Sequence, residues 1–66
     1  MFKDMAPRKT ILIIDDDEDL RELLREQLEA GGDFTVETAP SAVAGEALAL
    51  RARPHLVLLD VDLPDG

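Results

Sequence analysis

The stretch ILIIDDDEDL, residues 11–20, carries an apolar run, Ile11 to Ile14, straight into five consecutive acids, Asp15 to Asp19. The run does not alternate and is rich in β-branched side chains. That is the pattern of a strand covered on both faces in a parallel sheet, and it predicts a strand over Thr10 to Ile14. A helical period follows at once. Leu20, Leu23, Leu24 and Leu28 fall on one stripe, read as core, while Arg21, Glu22, Arg25, Glu26 and Glu29 lie off it. Asp17 is placed to cap this helix, and Glu18 and Asp19 suit the positive end of its dipole. Gly31 and Gly32 should end it.

Further along the chain, residues 34–38 read FTVET, alternating apolar and polar. This predicts a half-covered strand at a sheet edge. Ser41 can cap a second helix with Val43, Ala44, Ala47 and Leu48 on one face. Gly45 should weaken that helix by about 1 kcal/mol relative to alanine, and Pro54 should end it. Leu56 to Leu59 is a second wholly apolar strand, followed by Asp60, Asp62 and the turn residues Pro64, Asp65 and Gly66. His55, at the start of that strand, is expected to be a surface or loop residue and not a ligand.

The order is β-α-β-α-β with short connections, which implies an α/β fold with a parallel sheet and right-handed crossovers. The alternating strand belongs at the edge, so the expected sheet is three-stranded in order 2-1-3 with one helix on each face. In parallel sheets ligands gather at the carboxyl ends of strands. Asp15 and Asp16 follow the first strand and Asp60 ends the third. Three carboxylates meeting there would repel, by roughly 4 kcal/mol per pair at 4 Å and an effective dielectric of 20. Either protons or a cation must offset that. Oxygen ligands at an open rim favour Mg²⁺, which keeps part of its water shell.

Composition narrows the classes further. With 66 residues there is room for one domain, whose folding hides only about 60% of the surface of the unfolded chain. There is no cysteine, hence no disulfide and no thiolate metal site. The absence suits the cytoplasm. A net charge of −8 argues against a nucleic-acid surface and fits cations or basic partners. No apolar run is long enough to cross a bilayer, so no membrane partner is expected.

Two segments, ILIIDDDEDLRELL (residues 11–24) and RPHLVLLDVDLPDG (residues 53–66), resemble the receiver domain of two-component response regulators, which has a flavodoxin-like fold. The resemblance implies that Asp60 is the phosphoacceptor, phosphorylated by a sensor histidine kinase. It implies that Asp16 ligates Mg²⁺ directly, that Asp15 contributes directly or through water, and that Asp62 offers its backbone carbonyl. The metal set is then Asp15, Asp16, Asp60 and Asp62. The family's Ser or Thr after strand 4 and Lys after strand 5 have no counterpart before Gly66. The sequence therefore reads as a flexible leader, residues 1–8, and the first half of a receiver domain, residues 9–66.

Such a chain is expected to be a phosphoacceptor signalling domain, not an enzyme. The alternative is a fragment that cannot be phosphorylated and acts by association alone. A small Mg²⁺-dependent phosphohydrolase shares the chemistry but lacks a second general acid. The third strand would present a bare apolar edge, from which homo-oligomers are expected.

Overall fold

Ile11, Leu12, Ile13 and Ile14 are all buried, Leu12 completely. They form the centre of β1 (Lys9–Ile14), the middle strand of a parallel sheet in the order β2-β1-β3. The structure, a computed structural model, describes residues 8–59. The expected leader therefore lies outside the described residues except for Arg8. Around β1 are α1 (Glu18–Ala30), β2 (Phe34–Ala39), α2 (Ala42–Ala52) and β3 (Leu56–Leu59). This is the expected α/β architecture of a three-stranded half of a flavodoxin-like fold.

Side chains on a strand point alternately to its two faces. Ile11 and Ile13 join Val36 on one face, against Leu24 and Leu28 of α1 and Phe34. Leu12 and Ile14 join Ala39 on the other, against Ala42, Ala44, Leu48 and Ala49 of α2. The chain moves outward from β1 to β2 and then back across to β3. Two crossovers of one hand therefore put the helices on opposite faces. Register is continuous, with Lys9 opposite Phe34 through Ile14 opposite Ala39 on one side of β1. On the other side Ile11 to Ile14 pair with Leu56 to Leu59.

Local chemistry sets the helix ends. Asp17 accepts a hydrogen bond from the Leu20 N–H at 3.2 Å, and Ser41 accepts one from the Ala44 N–H at the same distance. At the end of α1 the Gly32 N–H donates to the Glu29 carbonyl, with Gly32 at a φ of +80° that suits a residue without Cβ. α2 stops at Ala52. Arg53 turns left-handed, φ +48°, its N–H donating to the Ala49 carbonyl at 2.9 Å in an αL cap, and Pro54 follows, which cannot continue the helix.

Three expectations need correction. The leucine stripe of α1 is only half core. Leu24 and Leu28 pack on the sheet, but Leu20 and Leu23 remain 38% and 50% exposed. Leu20 instead lines an open hollow over the ends of β1 and β3. On α2 half of the expected face is covered: Ala44 and Leu48 pack on the core, but Val43 is 71% exposed and Ala47 is also exposed. Gly45 is the buried residue of that helix. A Cβ there would collide with the Ile14 side chain, its Cγ1 only 2.6 Å away. The small residue lets the helix sit directly on β1, and this contact selects the face. β2 likewise runs one residue further than expected, to Ala39, which is buried against α2.

His55 stands at the bend before β3, as expected, yet it has partners. Its Nδ1 accepts from the Thr10 N–H at 3.0 Å, and its own N–H donates to the Thr10 carbonyl at 2.8 Å. These bonds extend the β1–β3 ladder by one step at the end of the sheet away from the acids.

Replacing Gly45 by Ala adds helix propensity but forces a methyl into Ile14. Overpacking of this kind typically costs about 1–3 kcal/mol, against a propensity gain of about 1. We expect the G45A chain to unfold at lower urea concentration than the parent, and Ile14→Ala, which clears the space, to make the Gly45→Ala step less harmful in that background.

Candidate functional site

The carboxyl end of β1 hands the chain directly to the acid loop. Asp15 continues the ladder, its N–H donating to the Ala39 carbonyl at 3.1 Å. Its side chain is 7% exposed, the one buried charged residue among those described. One carboxylate oxygen, Oδ1, accepts from the Asp17 N–H at 2.9 Å. The Asp15 carbonyl accepts from Arg21 Nη1 at 2.6 Å. Asp15 therefore acts locally, closing a short side-chain turn that positions Asp17 as the cap of α1. Asp16, between them, is exposed. Glu18 and Asp19 occupy the first turn of α1, as expected for dipole-compensating acids.

The strand register aligns the neighbouring strand end. Ile14 lies opposite Leu59, where the described part of β3 finishes. Asp60 and Asp62, the expected acceptor and carbonyl donor, lie outside the described residues. Among the described residues no group of three or more His, Cys, Asp or Glu side chains is close enough to hold a metal ion. Of the sequence-predicted ligands, Asp15 and Asp16 lie among the described residues, adjacent in the loop after β1, the first buried and the second exposed. Their donor set is oxygen alone, and His55 is at the far end of the sheet, so they fit a hard cation better than a nitrogen-seeking one.

Beside the acids is a hollow of about 310 Å³ between α1 and the sheet. It is lined by Ile13, Ile14, Asp15, Leu20, Leu24, Leu58 and Leu59. All four residues of β3 are exposed, since neither helix covers that side of the sheet. No helix among the described residues is long and apolar enough to cross a membrane.

Arg21 and Glu29 lie off the apolar stripe of α1, yet both serve the backbone. Arg21 does so through the Asp15 carbonyl, and Glu29 through Oε2, which accepts from the Val36 N–H of β2 at 3.0 Å. Nothing in a single sequence marks an off-stripe charge as a backbone partner. Arg25 does behave as a surface residue, with Glu22 and Glu29 at 3.5 and 3.7 Å in half-exposed pairs that contribute little.

The two leading acids should thus differ in stability effects. Asp15→Ala leaves the buried turn without its acceptor and is expected to destabilise by about 1–3 kcal/mol. Asp16→Ala should fall within about 0.5 kcal/mol of the parent. Urea midpoints for the two variants test this, and equal effects contradict the division of roles.

Comparison with known proteins gives a consistent result. The response regulator receiver domain matches residues 11–66. The DNA-binding dual master transcriptional regulator RpaA of Synechocystis sp. is 43% identical over 54 residues, which are 82% of this chain and 22% of that protein. The photosynthetic apparatus regulatory protein RegA of Cereibacter sphaeroides is 33% identical over 63 residues, 96% of this chain and 34% of that protein. An uncharacterized 14.6 kDa protein of Leptolyngbya boryana, in the sodA1 3' region, is 44% identical over 55 residues, 83% and 41% of the two chains. The chain therefore spans well under half the length of these relatives. No solved structure matches it with comparable strength.

Proposed function

Because this chain belongs to the response regulator receiver domain family, and so to a family of two-component signalling modules, we propose that residues 9–66 form a phosphoacceptor site centred on Asp60. In this reading a sensor histidine kinase is the donor and the relay runs in the cytoplasm. The carboxylate of Asp60 attacks the phosphorus of a phosphohistidine. A P–O bond forms as the P–N bond breaks, and the imidazole leaves. Bound Mg²⁺ would neutralise the oxygens of the phosphoryl group in flight.

This chain's own residues have simpler roles. Asp16 offers its exposed carboxylate to the metal. Asp15 shapes the loop and contributes through its remaining carboxylate oxygen. Asp62 supplies a backbone carbonyl. The observation that carries the reading is the parallel pairing of Ile14 with Leu59. It brings level the two strand ends from which Asp15 and, next in sequence, Asp60 follow. The reading makes the chain a signalling module and not a turnover enzyme. One relative is named as DNA-binding, but the charge of −8 here argues against nucleic-acid contact by this segment.

A second reading, association without phosphorylation, is favoured by one observation: Leu56, Val57, Leu58 and Leu59 are all exposed on β3. An apolar edge strand recruits another strand, and a second copy paired along β3 is the simplest partner. Light scattering across a dilution series checks it: a species of constant monomer mass contradicts association through β3.

The acceptor reading is tested by intact mass after incubation with acetyl phosphate and Mg²⁺. We expect a phosphate adduct on the parent chain, none on Asp60→Asn, and none when the metal is removed by chelation. A folded parent that gains no adduct overturns it.

A further inference from the structure

Arg21 is in the first turns of α1, where the helix dipole disfavours a cation, and the last turn of that helix has no basic residue. Its position therefore runs against the electrostatic preference of its own helix. What holds it is the bond from Nη1 to the Asp15 carbonyl, part-buried and 2.6 Å long. Its main-chain N–H also donates to the Asp17 carbonyl at 3.0 Å. Both ion pairs among the described residues belong to Arg25. The Arg21 guanidinium thus lies beside the acid loop without pairing with any described carboxylate.

The choice of a carbonyl matters chemically. A guanidinium set on a carboxylate engages both of its oxygens, the atoms a cation would need. Set on the carbonyl of Asp15, it brings positive charge to the loop and leaves open the carboxylate oxygen that the Asp17 N–H does not use. Asp15 and Asp17 are tied by the Asp17 N–H at 2.9 Å and by the cap to Leu20. The loop is therefore pinned on both sides of the exposed Asp16.

We propose that Arg21 is a positioning residue for a divalent-cation site at Asp15 and Asp16: it fixes the main chain of the acid loop and offsets carboxylate repulsion without occupying the ligand oxygens. This rests on the function proposed above. Groups that orient metal ligands from behind are typically worth about 10–100-fold in affinity.

The test is a Mg²⁺ titration of the isotope-labelled 66-residue chain by NMR, following the Asp16 and Asp17 amides, for the parent, Arg21→Gln and Arg21→Lys. Amide exchange at Asp17 and the urea midpoint are read on the same samples. We expect Arg21→Gln to bind Mg²⁺ about tenfold more weakly and to exchange the Asp17 amide faster. Its urea midpoint should change little, because the cation at the helix start is no asset to the fold. Arg21→Lys, which keeps a donor and the charge, should recover most of the affinity. Arg21→Gln binding within about twofold of the parent, well short of the expected change, overturns the inference while leaving the site reading intact. So does a loss of affinity that only follows a fall in urea midpoint and that lysine does not restore. A parent chain with no Mg²⁺ response overturns the site reading, and this inference with it.

Discussion

Every apolar side chain of β1 needs cover, and the strand points them in both directions. Ile11 and Ile13 require one helix and Leu12 and Ile14 require another, so neither face can be left to solvent. A surface strand can present a polar face, but β1 has none between Ile11 and Ile14. The two helices, their opposite placement and the central position of β1 all follow from that requirement. So does the position of the acids. A strand packed on both faces can display polar groups only where it ends, and Asp15 and Asp16 are the first residues past the last apolar one.

The elements most legible in the sequence were those where a single physical signal dominates. The unbroken apolar runs marked β1 and β3 as strands. Asp17 and Ser41 marked helix starts, and the alternation in FTVET placed β2 at the edge. The buried face of α2 was only half legible, Ala44 and Leu48 but not Val43 and Ala47. With only Glu46 and Arg51 charged in that helix, polarity does not define a stripe. The face is chosen by the close approach of Gly45 to Ile14, a tertiary contact that sequence spacing does not encode. The exposed start of α1 is similar. A leucine stripe shows which side of a helix turns toward the sheet, but not whether the space beneath it is filled.

The acid pair was legible as a site and less so as a structure. In the sequence Asp15 and Asp16 look like partners of one kind. The fold separates them: one buried and bonded to the Asp17 amide, the other exposed. Adjacent residues leaving a strand point to opposite sides, so a difference in burial is the ordinary outcome. The bond from Arg21 to the Asp15 carbonyl had no sequence signal, because any exposed arginine has the same signature until its partner is known.

Glu29 has a wider consequence. By reaching from the last turns of α1 to the Val36 amide, it occupies a donor on the outer margin of β2. The opposite margin, along β3, has no such guard among the described residues. Among the described residues the sheet is therefore asymmetric as a template: one margin carries a side-chain guard on a strand N–H and the other carries none.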